Sequence, residues 1–156
     1  ISWVLDEFDP NTYHDLIVNY RAITYSVTGS IGIDVKGDRL WIGSTQAVDE
    51  GLTNVAFLRA LVENIEDCFE EREINNIWIT FPDPRPKDRD IKRRLTSPRF
   101  LEYYKRLLAK DGMMYFKTDN TALFEYTLEV LSERDDIKDL EYTFYGLLAL
   151  GSLVDE

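Results

Sequence analysis

Short apolar runs alternate along this chain with segments whose apolar residues recur at helical spacing. Residues 29–35 (GSIGIDV) form an apolar run closed by Asp34 and Gly37. Leu40, Trp41, Ser44, Ala47 and Val48 then predict an amphipathic helix, which Gly51 is placed to end. Residues 54–58 (NVAFL) are strand-like, and Leu61, Val62, Ile65, Cys68 and Phe69 mark a second helix with Cys68 on its buried face. Ile74 to Phe81 is a strand interrupted only by Asn75, Asn76 and Thr80. Ser97 offers an N-cap with Pro98 at the first helical position. Phe100, Leu101, Tyr104, Leu107 and Leu108 line one face of that helix, and Gly112 stops it. Met113 to Phe116 is the next buried strand. Asn120 caps a helix with Leu123, Phe124, Thr127, Leu128 and Leu131 facing inward. Residues 140–150 read as one more strand and Leu16-Ile17-Val18 as a weaker one; the rest of residues 1–28 shows no clear pattern.

The order is βαβαβαβαβ, with continuous rather than alternating apolar strands. Such strands are covered on both faces, which predicts an α/β, Rossmann-like, doubly wound and mostly parallel sheet. With 156 residues, 44% of them hydrophobic and 13% aromatic, the chain is expected to form one domain over residues 1–156. A single cysteine excludes an internal disulfide and fits a reducing compartment. No apolar run approaches 18 residues and no basic-then-apolar leader is present, so a soluble, cytoplasmic protein is expected, as a monomer or homodimer. Because the chain begins at Ile1, further residues are expected before it in the natural protein.

Charge changes the picture. The chain carries −11 overall, yet residues 83–99 hold seven Lys or Arg against three Asp, a local +4. That island follows directly on the strand-end turn Pro82-Asp83-Pro84, where two prolines stiffen the backbone around one carboxylate. In doubly wound sheets ligands sit beyond the carboxyl ends of the strands, and Asp34, Asp83 and Asp119 all fall there. Each has a plainer reading: Asp34 and Asp119 as acids at a helix start, Asp83 as a turn residue. A charge run is also commonly a solvated helix face. Here Lys92, Arg93 and Arg94 are adjacent, which suits backbone phosphates better than pairing within a helix. His14 stands alone, so Ser-His-Asp and Cys-His chemistry lack a member, and no Cys or His cluster supports a metal site. Gly29-Ser30-Ile31-Gly32 is too short for a dinucleotide loop.

The stretch Phe81-Pro82-Asp83-Pro84, Pro86-Lys87, Arg89 and Lys92-Arg93-Arg94-Leu95 resembles the signature of the bacterial tRNA (guanine-N7-)-methyltransferases, F-x-D-P-W-P-K-K-R-H-x-K-R-R-L. Thr96, Phe100-Leu101, Tyr104 and Leu107 continue it, and Phe116-Lys117-Thr118-Asp119-Asn120 with Leu123-Phe124 is similar to that family's second block. The resemblance covers roughly residues 31–131. It departs at Arg85, where the motif has tryptophan, and at Asp88 and Asp90, where it has lysine and histidine. The family's glycine-rich first motif and its C-terminal block have no counterpart here, so further residues are expected near 19–30 and after 156.

The resemblance implies a class I methyltransferase that uses S-adenosylmethionine to methylate N7 of guanosine at position 46, in the variable loop of tRNA. It implies that Gly32, Asp34 and Lys36 bind the cofactor, Asp34 through its ribose. Asp83 would be catalytic, orienting the guanine and countering developing positive charge. Lys87, Arg89, Lys92, Arg93 and Arg94 would hold tRNA phosphates, with Thr118 and Asp119 also on the substrate. Guanine N7 is an exposed, unprotonated acceptor that needs no base to become a nucleophile, which suits a chain without an available His or Cys. Two other readings stand beside it: a noncatalytic RNA-binding Rossmann-like domain, and another nucleotide-cofactor enzyme such as a nicotinamide oxidoreductase.

Overall fold

A computed structural model of the chain describes residues 16–21, 28–143 and 148–153, with side chains from 29 to 143. Seven strands form one sheet: β1 (Leu16–Arg21), β2 (Thr28–Asp34), β3 (Val55–Arg59), β4 (Ile74–Thr80), β5 (Leu108–Lys117), β6 (Ile137–Thr143) and β7 (Leu148–Leu153), in the order β3-β2-β1-β4-β5-β7-β6. The α-helices are α1 (Gly37–Asp49), α2 (Pro98–Leu107) and α3 (Thr121–Ser132), and short 3-10 helices span Val62–Asp67 and Asp88–Arg93. β2 pairs parallel with β3, and β4 with β5. β1 runs antiparallel to both β2 and β4, and β7 antiparallel to β5 and β6. Five strands therefore point one way and β1 and β7 the other. The reversal of β1 follows from chain length: only six residues separate Arg21 from Thr28, whereas a parallel crossover needs a dozen or more.

The core lies on one face of the sheet. Ile77 and Ile79 of β4 sit beside Met114 and Phe116 of β5. All four are buried with Phe100, Leu101, Tyr104 and Leu107 of α2 and Leu123, Phe124 and Leu131 of α3. Burying each of these large side chains stabilises the fold by about 1.5–3 kcal/mol. The buried Tyr104 hydroxyl donates to the Leu95 carbonyl at 3.0 Å, and burial pushes its ionisation well above the ordinary phenol range. The opposite face carries Trp78 stacked on its cross-strand neighbour Tyr115, centroids 3.8 Å apart.

Several expectations change in detail. α1 ends as the glycine signal implies: Gly51 has φ +68°, its N–H donates to Val48, and the Leu52 N–H donates to Ala47. That is a Schellman closure. However, α1 buries only Leu40 and Ala47 against the β2–β3 margin, leaving Trp41 and Val48 exposed. Cys68 is exposed rather than buried, because the 3-10 helix stops at Asp67 before carrying it inward; its thiol meets the Asn64 carbonyl at 3.6 Å.

Ser97 does precede Pro98 at the start of α2, but its hydroxyl donates to the Lys92 carbonyl instead of capping the helix. Gly112 lies inside β5 and does not end α2. A Cβ there would sit 2.8 Å from the Ala109 carbonyl oxygen and 3.1 Å from that of Asn75, so glycine is required by a bulge where Leu108 faces Ile74 and Met113 faces Asn76. Leu128 of α3 is only partly buried. The single strand expected over 140–150 is two, β6 and β7, with residues 144–147 between them outside the described residues. The stretch expected to be missing near 19–30 falls partly on 22–27, also outside the described residues.

A charged cluster joins the end of α3 to α2. Arg134 donates from Nε and Nη2 to Asp136 at 2.8 and 2.6 Å and from Nη1 to Glu102 at 2.7 Å, and Lys105 reaches Asp136 at 3.0 Å. The Arg134 hydrogen bonds, ahead of those from Lys105, lower the Asp136 carboxyl to about 2. A lowered folded-state value means that this contribution is fully present above the unfolded value near 4 and is lost as pH falls towards 2. We predict that Asp136→Asn lowers stability at neutral pH by roughly 1–3 kcal/mol. Urea midpoints measured between pH 5 and pH 2 should fall less steeply for this variant than for the wild type, and parallel curves would refute the assignment.

Candidate functional site

Because β2, β4 and β5 run in one direction, their carboxyl ends share one rim of the sheet. Asp34 closes β2, Asp83 lies three residues past Thr80, and Asp119 lies two past Lys117. At about 4.8 Å between strands, the Asp83 and Asp119 loops leave neighbouring strands, and Asp34 stands two strands from Asp83 with β1 between them. The topology thus gathers all three acids on one edge. Their surroundings differ.

Asp34 is sealed: its side chain has no exposed surface, Oδ1 accepts the Lys36 N–H at 2.8 Å and Oδ2 accepts Arg39 Nη1 at 3.3 Å. Lys36 therefore contributes its backbone here, and its side chain is exposed. Gly32 is buried in β2 opposite Phe57. Arg59 braces the same corner from β3, donating Nε to the Val35 carbonyl at 3.2 Å. A carboxylate offers about four lone-pair sites, so Asp34 keeps acceptor capacity beyond these two bonds, beneath an Arg39 whose side chain is 30% exposed.

Asp83 is open. Its side chain is 60% exposed, on a loop in which Pro82 is buried and Phe81 and Arg85 take positive φ of 49° and 45°. Left-handed backbone at two non-glycine residues is held against its preference by surrounding bonds. The Phe81 N–H donates to the Lys117 carbonyl at 2.7 Å, tying this loop to the end of β5. Arg94 donates Nε and Nη2 to the Arg85 carbonyl at 3.3 and 3.1 Å and lays its guanidinium 4.4 Å from the Tyr126 ring centroid on α3. Asp83 Oδ1 accepts the Arg85 N–H at 3.1 Å and Oδ2 meets Arg85 Nε at 3.1 Å.

Asp119 is exposed and follows Thr118, which is buried with its hydroxyl accepting the Asn120 N–H at 3.1 Å. Asn120 caps α3 as expected, accepting the Leu123 N–H at 2.8 Å. Thr127 donates its hydroxyl to the Leu123 carbonyl, which makes the buried Thr96 the donor to Thr127 at 2.8 Å. That bond fixes α3 against the end of the basic segment.

The cations of that segment have distinct settings. Arg94 turns inward onto its own loop. Arg89 and Arg93 flank Asp90 at 3.9 and 3.6 Å, while Lys87 and Lys92 are exposed. Sequence reasoning missed Arg39, Arg59, Tyr126 and the Arg85–Asp83 pair. Arg39 in the first turn after a strand-end acid is a local signal that a reader could have used; Tyr126 and Arg59 are set by tertiary contact alone.

A family model described as "Putative methyltransferase" matches residues 22–144. The chain belongs to that methyltransferase family. It is 50% identical over 114 residues to a tRNA (guanine-N(7)-)-methyltransferase of Cytophaga hutchinsonii, covering 72% of this chain and 52% of the relative. It is 46% identical over 121 residues to one of Christiangramia forsetii, covering 72% and 54%. The chain thus spans about half the length of these relatives. Among solved structures it is similar to an rRNA methylase of Streptococcus thermophilus (TM-score 0.58, 16% identity, 80% of this chain and 73% of that one). It is also similar to the tRNA (m1A58) methyltransferase of Aquifex aeolicus (TM-score 0.59, 12% identity, 81% and 53%). At such identities the shared property is the fold, the Rossmann-like sheet of class I methyltransferases.

In this chain the Arg94 fork holds the Asp83 loop through the Arg85 carbonyl. We predict that Arg94→Ala lowers stability by about 1–3 kcal/mol through the lost charged hydrogen bonds and ring contact, and that Arg94→Lys recovers only part of it. Urea unfolding reads the stability, and hydrogen exchange at the Arg85 amide should quicken in both variants; unchanged exchange would refute the lock.

Proposed function

We propose that the chain carries the catalytic rim of an enzyme that transfers a methyl group from S-adenosylmethionine to N7 of guanosine in tRNA. The observation that carries this reading is the Asp83 carboxylate, held outward on a proline-braced, arginine-locked loop beside a cationic turn on an otherwise acidic chain. Family membership supports it, as do relatives that bear this activity in their names over the matched half.

Asp34 would hold the ribose of the cofactor once Arg39 moves aside, with Gly32 and the Lys36 N–H shaping the strand end. When bound, the cofactor supplies an electrophilic methyl on a sulfonium. The remaining work falls to the chain. N7 already carries its lone pair, so catalysis is chiefly placement of the base in line with the methyl. Attack spreads positive charge into the purine, and a fixed carboxylate beside it stabilises that charge. Asp83 has the exposure and the stiff backbone for this, with Asp119 on the neighbouring loop as a second contact to the base. Lys87, Arg89, Lys92 and Arg93 would meet phosphates, and Arg94 would act by holding the loop. Local focusing by these cations lets an acidic protein attract RNA. Among the described residues no helix is long and apolar enough to cross a membrane.

Asp83→Asn in the full-length protein should lower kcat on unmodified tRNA by about 10²-fold or more, the scale for losing one preorganised electrostatic group. Calorimetry with S-adenosylhomocysteine should show cofactor affinity within a few fold of wild type. Methyl transfer that survives the substitution sinks the role of Asp83, and a wild-type protein that binds no S-adenosylhomocysteine sinks the enzyme reading.

A further inference from the structure

The Asp83 carboxylate is already answered by two N–H donors, one on each oxygen: the Arg85 backbone N–H on Oδ1 and Arg85 Nε on Oδ2, both at 3.1 Å. Guanine presents an analogous pattern. Its N1–H and N2–H₂ are two parallel donors on one edge, which match a carboxylate as a guanidinium does. Arg85 stands where the family's motif has tryptophan, so this pairing is a property of this chain's own residue.

We propose that Arg85 is an internal mimic of guanine, competing with the substrate base for Asp83, and that binding proceeds by exchange of one for the other. This rests on the reading of Asp83 as the group that receives guanine. The geometry allows the exchange. Asp83 and Arg85 side chains are 60% and 36% exposed, so the pair is at the surface and weakly held. The Arg85 carbonyl is anchored by Arg94, which keeps the loop in place while the side chain leaves. The backbone N–H can stay on Oδ1, because each carboxylate oxygen accepts more than one donor. Once displaced, the guanidinium is free to meet a phosphate. Removal of the cation also restores to Asp83 the full negative charge that countering a methylated purine requires. Adenine, with an acceptor at N1, cannot make the exchange.

The sign of the effect separates this from the plainer role of Arg85 as one more phosphate contact. Losing a phosphate-binding cation loosens RNA; losing a competitor tightens it. Unmodified tRNA binding is measured at one fixed salt concentration for the full-length wild type, Arg85→Gln, Asp83→Asn and the double variant. Arg85→Gln should tighten binding about two- to fivefold, the range an exposed ion pair can hold back. The gain should vanish when Asp83 is already Asn. Arg85→Met, which keeps the stem without donors, should repeat the gain and serves if the glutamine variant misfolds. Looser or unchanged binding in the single variants overturns the proposal, as does a gain that persists without the Asp83 charge. Methyl transfer by the wild type is assayed alongside. A flat cycle in an active enzyme refutes only the exchange, whereas an inactive wild type refutes the enzyme reading.

Discussion

The rim hangs on the parallel pairing of β4 with β5, sealed on one face by α2 and α3. Ile77, Ile79, Met114 and Phe116 have almost no exposed surface, and Phe100, Tyr104 and Phe124 close over them. Both candidate loops on this side leave directly from these strands, and the Phe81-to-Lys117 bond joins them at the exit. Close packing in such a core resists displacement by even a methylene group. The positions of Asp83 and Asp119 are therefore inherited from apolar side chains that take no part in chemistry.

Above that platform, polar bonds decide direction. Arg94 reaches across from the basic segment to the Arg85 carbonyl and rests on Tyr126, so one residue of the cationic run holds the loop. Asp34 and Asp83 show two uses of a strand-end acid. The first is buried and satisfied by its own helix start, stabilising the corner. The second is pushed outward between prolines and left accessible, with a single weak partner. An acid placed for encounter must keep lone pairs within reach of solvent, and of Asp34, Asp83 and Asp119 the last two do so.

The departures from the family signature have a shared physical consequence. Asp90 takes the charge of Arg89 and Arg93 at 3.9 and 3.6 Å, and Arg85 takes that of Asp83. Arg85 and Asp90 thus replace residues of the motif by ones that pair with a neighbour. The surface proposed to meet RNA is thereby partly self-neutralised, and contact with phosphates would exchange one set of ion pairs for another. Exposed pairs are weak enough for that exchange.

Periodicity and end signals along the chain placed β2, β4, α1, α2 and α3, the Asn120 cap and the Gly51 stop, because each depends on neighbours within a turn or two. The rim acids were legible for the same reason: a carboxylate just past an apolar run is a local pattern. Signals with two physical origins were misread. Gly112 looked like a helix stop and is a bulge demanded by the approach of Asn75; Cys68 and Trp41 followed a helical period that the sheet leaves uncovered. The reach of Arg59 to the Val35 carbonyl, the placing of Arg94 on Tyr126 and the hold of Arg94 on the Asp83 loop were decided by tertiary structure. These involve partners brought together by strand order or by a side chain's reach, and separation along the chain carries no record of either.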